Sequence, residues 1–310
     1  MTGLDSKPKR ISPKYFYDRA GSDLFEQICI QPEYYPTRTE AAILHAHSSD
    51  IAKIVGAESN VVVELGSGSS SKTRILLRSF ACKQMTQLYY FPIDISPAVL
   101  HHSTSALAVE FPRLKVTGLV AEYVDGIARA KELISNENNH ARCIITFLGS
   151  SIGNFEPKEA VSFTAVIAKK MKEGDFMLVG FDLQKDERIL NAAYNDAAGV
   201  TAKFNLNILS RINSELGGEF NLNLFKHYAF YNRHKNRIEM HLISAAPQEA
   251  YISEVGKSFD FAKGESIHTE NSYKYTRSQI DSLAKSSGLR IKRHFLDRKR
   301  WFDLALFERI

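Results

Sequence analysis

The chain has 310 residues, is 44% hydrophobic and 24% charged, and carries a formal net charge of +5. Such a chain can bury one large core, or a main domain with a smaller second one. Its basic residues are scattered and join no stacking aromatics, which argues against nucleic acid as a partner. No apolar run reaches the ~18 residues of a membrane span, so no membrane partner is expected.

The segment 1–45 is helical and aromatic-rich. "NVVVEL" (60–65) is a β-branched run, as expected of a strand buried on both faces. A glycine loop follows, and "SKTRILLRSF" then carries Ile75, Leu76 and Phe80 at helical spacing. "QLYYFPID" (87–94) is a second strand that ends in an acid. "SPAVLHHSTSALAVEF" (96–111) is a helix with Ser96 as N-cap and Pro97 at the first position. "LKVTGLVAEY" (114–123) and "ARCIITFLGSSIGNF" (141–155) are the third and fourth strands, the latter breaking at Gly149. "EPKEAVSFTAVIAKKM" (156–171) is helix and "DFMLVGFDL" (175–183) a fifth strand.

This alternation predicts an α/β fold, an open parallel sheet with helices on both faces. "GLRIKRHFL" and "RWFDLALFER" end the chain as an antiparallel hairpin at the sheet edge. Between 184 and 275 the rhythm is lost: a helical part precedes short strands ("KHYAFYN", "NRIEMHLISA", "AYISEV"). The expected division is a cofactor-binding domain of 46–183 with 276–310, and a smaller α+β substrate domain of 1–45 with 184–275. Cys29, Cys82 and Cys143 lie far apart with no CxxC, as in a reducing compartment without structural zinc. "MTGLDSKPKR" lacks the apolar core of a signal peptide, and a cytoplasmic monomer is expected.

The loop "VVVELGSGSSSKT" (61–73) nearly matches two nucleotide signatures and completes neither. Ser71 stands where a P-loop needs its second glycine and where a dinucleotide fingerprint needs its third. Glu64 just before the loop repels phosphates. It suits a ligand with cationic and hydroxyl groups, such as S-adenosylmethionine. Asp94 ends the next strand, where an acid accepts ribose hydroxyls. Glu122 and Tyr123 end the third strand, where an acid–aromatic pair can hold adenine. Together with the terminal hairpin, this order resembles the Rossmann-like class I methyltransferases that use S-adenosylmethionine and release S-adenosylhomocysteine.

A narrower resemblance runs from about residue 12 to the C-terminus. "YDRAGSDLFEQICIQPEYYPTRTE" (17–40), "TFLGSSIGNF" (146–155), "AYNDAAGVTAKFN" (193–205), "RIEMHL" (237–242) and "HTENSYKY" (268–275) are similar to successive blocks of one family. It is the L-histidine Nα-methyltransferase family of ergothioneine biosynthesis. The resemblance implies a small amino-acid substrate and trimethylation of free histidine to hercynine. It assigns Tyr34, Asn154, Tyr194, Met240, Glu270 and Ser272 to the substrate, with Tyr17 and Asn154 near the transferred methyl. Gly66, Lys72, Asp94, Glu122 and Tyr123 fall to the cofactor; Glu122 is a departure where the family favours Asp. Glu270 and Ser272, two apart in an extended segment, point to one side and suit the two nitrogens of an imidazole.

Simpler readings stand beside these. "EYYPTR" can be a packing corner, Met240 core, Glu270 a turn acid, Lys72 a helix-face charge and Asn154 a helix cap. His101 and His102 lie on a helix without partner ligands, and no catalytic metal is expected. The alternatives in function are a methyltransferase for another aromatic amino acid such as tryptophan, and a non-catalytic S-adenosylmethionine-binding protein.

Overall fold

The computed structural model describes residues 2–56, 61–82, 87–137 and 142–310. Asn60 and Ala141, the expected first residues of two strands, lie outside them. The chain divides into two units: Pro36–Gln184 with Lys274–Ile310, and Met1–Tyr35 with Lys185–Tyr273. The first boundary falls at Tyr35 and not at residue 45. Tyr35–Val55 is one uninterrupted helix. Its buried Ile43, Leu44, Ile51 and Val55 join the core of the larger unit.

The larger unit holds, among the described residues, an eight-stranded sheet. From one edge the strands run Leu289–Leu296, Phe302–Arg309, Phe176–Asp182, Cys143–Phe147, Val61–Leu65, Leu88–Asp94 and Leu114–Val116. Neighbours pair in parallel except at the terminal hairpin, whose inner strand runs antiparallel to Phe176–Asp182. Val61–Leu65 is buried at every position, as its run of three valines suggests, and its one polar residue, Glu64, is buried with the rest. It lies between Leu88–Asp94 and Cys143–Phe147, so the strand order reverses there and the loop after it opens at the switch point. Val62, Leu76, Leu77, Phe80, Ile144, Leu178 and Leu304 pack as one core around this sheet.

The third strand is shorter than expected and broken into Leu114–Val116 and Leu119–Val120. The cause lies in its neighbour. The carbonyls of Tyr90 and Asp94 accept from Thr117 N and Ala121 N. Pro92 sits between those two residues on the same side of the strand and has no N–H to give, so the ladder lapses beside it. The fourth strand likewise ends at Phe147, because Gly149 and Ser150 both turn to positive φ.

The terminal hairpin is tied to the helix Arg277–Ser286 through His294. Its Nδ1 lies 2.6 Å from Asp303 Oδ2 and its Nε2 lies 3.0 Å from Asp281 Oδ1. The hydrogen bond to Asp303, chiefly, holds the imidazolium above its ordinary range. Because the folded value is raised, the stabilisation is complete below about pH 6.5 and is lost as pH rises through the raised value. The stability difference between wild type and His294→Gln is therefore expected to shrink from pH 5.5 to 9 in denaturant titrations. A difference independent of pH would refute the ion pairs.

In the smaller unit, among the described residues, a four-stranded sheet has the order Lys9–Arg10, Ser266–Tyr273, Arg237–Ser244, Phe225–Asn232. A separate hairpin joins Gln248–Ile252 to Lys257–Phe261. Helix Val200–Leu216 contacts the strands Phe225–Asn232 and Arg237–Ser244 and the helix Arg19–Cys29. No helix among the described residues is long and apolar enough to cross a membrane.

Candidate cofactor and substrate sites

The glycine loop is shaped by its neighbour strand. Gly66 and Gly68 take φ of +65° and +50°, values a side chain resists. The amides of Gly66 and Ser67 both donate to Ile93 O, at 2.8 and 3.1 Å. Asp94 Oδ2 accepts from Gly68 N at 2.9 Å, and Oδ1 from Ser96 N at 3.0 Å. A carboxylate has about four acceptor positions, so about two remain for a diol. The Ser67 hydroxyl is buried in the loop without a partner among the described residues. The phenol of Tyr123 stands over Gly66, where a Cβ would come within 3.3 Å of its oxygen. Burial, and then the charge of Asp94, push that phenol up to about 12, so it stays a neutral donor. A ribose acceptor, an aromatic wall and an unspent hydroxyl fit a nucleoside such as that of S-adenosylmethionine.

Glu64 is held by side chains of the protein itself. It is the penultimate residue of its strand and is buried, accepting from Thr73 Oγ1 and Tyr90 OH. Burial raises its carboxyl to about 7. Its work is to bind the loop's exit to the next strand, and the expected electrostatic choice of ligand does not rest on it.

Lys72, which precedes the helix Thr73–Ala81, reaches Glu40 with Nζ 2.5 Å from Oε2. Glu40 is fully buried and also accepts from Gly149 N, at 3.0 and 2.9 Å to its two oxygens. Gly180 leaves room for this carboxylate, since a Cβ there would lie 2.2 Å from Glu40 Oε1. The lysine is therefore the fixed partner of a buried acid and not a loose helix-face charge. Glu122 follows the strand as an exposed side chain, with Tyr123 already the first residue of the helix Tyr123–Glu137. Tyr123 packs edge-on against Phe147 and Phe163.

Asn154 ends a short 3-10 turn, Ser151–Asn154, past the carboxyl end of the fourth strand. It does not cap the next helix: Glu156 is the N-cap of Pro157–Lys170, and its N–H donates to Glu159 Oε2 at 3.0 Å. Capping thus leaves the half-buried Asn154 unexplained.

The smaller unit brings Tyr17, Tyr34, Tyr194, Met240, Glu270 and Ser272 together. Tyr17 follows the turn Pro13–Phe16 and lies edge-on to Phe25 and Phe204. Its position is set by the next residues. Asp18 caps the helix Arg19–Cys29 through Gly21 N, and a Cβ at Gly21 would fall 1.7 Å from Phe16 O. Tyr34 meets Tyr194 edge-on at 6.2 Å. Burial first, and then the neighbouring Tyr194, Cys29, Tyr17 and Glu270, raise the Tyr34 phenol well above its usual value. Glu270 and Ser272 are buried on one strand, opposite Met240 and Ile238 of the next, so all four share a face. Tyr194 OH donates to Ser272 Oγ at 2.8 Å.

A second layer fixes this wall. Asn205, fully buried mid-helix, donates to His241 O at 3.0 Å, contacts His227 Nδ1 at 2.9 Å and accepts from Thr269 Oγ1 at 2.7 Å. His227 Nε2 in turn lies 2.9 Å from Tyr194 O. Thr269 occupies the β-bulge between His268 and Glu270. Glu40, Ser67, Tyr90, Asn205, His227 and Thr269 were not expected from sequence. A signal existed for Asn205, a polar residue on the apolar face of "AKFNLNIL".

Asp94→Ala is expected to weaken binding of S-adenosylmethionine by roughly 1–3 kcal/mol, the range for charged hydrogen bonds left unmade. Calorimetry with S-adenosylhomocysteine measures it. Wild-type affinity in that variant would exclude Asp94 from the site.

Comparison with known proteins bears on the family of the chain. The profile of one family, described as histidine-specific, SAM-dependent methyltransferases, matches residues 1–309. The chain is 38% identical over 304 residues to a histidine N-alpha-methyltransferase of Mycolicibacterium smegmatis, covering 98% of this chain and 92% of that one. It is 29% identical over 286 residues to the L-tryptophan methyltransferase of Psilocybe serbica, covering 87% and 80%. Ergothioneine biosynthesis protein 1 of Schizosaccharomyces pombe is 27% identical over 280 residues, 89% of this chain and 36% of that one.

Proposed function

The chain belongs to the family of histidine-specific, S-adenosylmethionine-dependent methyltransferases, and from that premise we propose that it methylates the α-amino nitrogen of free L-histidine three times, giving hercynine. It is an S-adenosylmethionine-dependent enzyme of histidine methylation with a Rossmann-like fold, similar to enzymes of ergothioneine biosynthesis. Its relation to the histidine enzyme is nearer than to the tryptophan enzyme, at 38% against 29% identity. We take it to act in the cytoplasm as a monomer.

The observation that carries the reading is the Tyr194–Ser272–Glu270 wall. In a neutral imidazole one nitrogen donates and the other accepts. Glu270 would accept from the first, and the Ser272 hydroxyl, which accepts from Tyr194 OH, would serve the second. An indole has a donor and no acceptor nitrogen, so it would leave the serine unmatched.

Gly66, Ser67, Asp94, Glu122 and Tyr123 would hold the cofactor's nucleoside, and Lys72 with Glu40 would fix the loop around it. The bound cofactor supplies an activated methyl group on sulfonium. What remains for the protein is positioning, because the amine lone pair must lie in line with the S–CH₃ bond at about 3–3.5 Å. Asn154 would orient the amine with its side-chain oxygen, and Tyr34 would hold the substrate carboxylate as a neutral donor. An α-ammonium has no lone pair, so a proton must leave first, and Tyr17 is the candidate to relay it.

The test is mass spectrometry of purified protein with methyl-labelled S-adenosylmethionine and the twenty amino acids. Label in trimethylated histidine alone supports the reading. Label in tryptophan, or a product that stops at one methyl, overturns the substrate or the count.

A further inference from the structure

The smaller unit's sheet has a second polar face that the methyl-transfer reading does not use. Side chains alternate along a strand, and Glu270 and Ser272 lie with Met240 and Ile238 on one side. The register His268 opposite His241, and Asn271 opposite Glu239, puts Glu239, His241 and His268 on the other side. One ligand atom from each of these three lies within 4.8 Å of the others.

We propose that Glu239, His241 and His268 form a binding site for a divalent transition metal of the zinc class, on the sheet face opposite to Glu270 and Ser272. Glu239 Oε2 and His241 Nε2 are 3.3 Å apart. That is long for a bond to a carboxylate, which prefers about 2.7–2.9 Å. It is the edge of a tetrahedron built on bonds of about 2.0–2.1 Å, as zinc makes with imidazole and carboxylate. The His268 ring stacks on the His241 ring with centroids 4.9 Å apart and offers a nitrogen within 4.8 Å of the other two ligand atoms, while its Nε2 lies 3.1 Å from Glu270 O.

The surroundings fit as well. Arg237 donates to Glu239 Oε1 from Nε at 2.8 Å and Asn232 Nδ2 does so at 3.0 Å. Both bonds orient the carboxylate and leave Oε2 toward the histidines, as outer partners of metal ligands do. His241 Nδ1 is buried without a partner among the described residues. Two imidazoles and one carboxylate suit zinc, cobalt or nickel over magnesium or calcium, and leave a fourth position for water.

The experiment is a titration of untagged protein with Co²⁺, and with Zn²⁺ by calorimetry, in the absence of histidine, which itself chelates. The expected result is a single equivalent of Co²⁺ with the visible absorption of a four-coordinate ion. His241→Ala and His268→Ala should each weaken it by about 100-fold, with S-adenosylhomocysteine binding unchanged. Zinc added to wild type should also move the ring signals of His241 and His268 in nitrogen-correlated NMR, a readout that needs no variant. The spectrum of hydrated octahedral cobalt, ring signals that stay in place, or equal affinity in both folded variants would overturn the site.

Discussion

Glu270→Ala should raise the KM for histidine by roughly ten- to 150-fold and leave the affinity for S-adenosylmethionine nearly unchanged. The magnitude follows from losing a hydrogen bond to a charged group, about 1.5–3 kcal/mol. The sequence left open an exposed turn acid, for which no kinetic change is expected. In the structure Glu270 is instead 9% exposed, on a strand, beside Ser272 and facing Met240. Removing it takes the acceptor from the ring and leaves the amine's own partners in place. The loss should therefore fall on kcat/KM chiefly through KM. Glu270→Gln keeps one acceptor oxygen and should lie between wild type and alanine. The same contact is expected to set specificity. Tryptophan can give its N–H to Glu270 but cannot satisfy Ser272, a mismatch of order 1–3 kcal/mol for a buried polar group. Wild-type kinetics with histidine in Glu270→Ala, or a wild-type preference for tryptophan, would show the ring to be held elsewhere.

Much of the larger unit was legible because its signals are local. The run at Val61–Leu65 is mostly apolar and buried on both sides, and Pro97 and Ser96 mark a helix start that the structure keeps. The break in the third strand was not legible there, because its cause sits across the ladder at Pro92. The candidate site residues named from sequence lie in blocks whose spacing follows a strand or a cap, as with Glu270 and Ser272 on one strand or Tyr17 before the capping Asp18. Those missed act between blocks. Glu40 and Gly149 are joined only by the fold, and nothing near Glu40 in the chain announces that its carboxylate will be fully buried. Glu64 shows the converse error. Its place before a glycine loop suggested contact with ligand, yet Thr73 and Tyr90, far apart in sequence, converge on it.

The largest stability effect is expected at Lys274 and Asp182, a pair equally silent in sequence. Their side chains are 0% and 1% exposed, with Nζ 2.8 Å from Oδ2. Asp182 closes the strand Phe176–Asp182; its N–H donates to Ser150 Oγ and its carbonyl accepts from Tyr275 N, both at 2.9 Å. The pair thus sits beside the turn that leads to Asn154. A buried ion pair gives little net stability, since desolvation offsets the attraction, but breaking one side strands a charge. Lys274→Met or Asp182→Leu alone should each lower unfolding free energy by about 3–5 kcal/mol, read from the urea transition of the larger unit. Replacing both should recover most of that loss, because no unpaired charge then remains. Single variants within about 1 kcal/mol of wild type would mean that water reaches the pair. A double variant that is stable yet poor in methyl transfer would show that the charges are kept for the shape and polarity of the sheet's carboxyl end, where Asn154 stands, and not for stability.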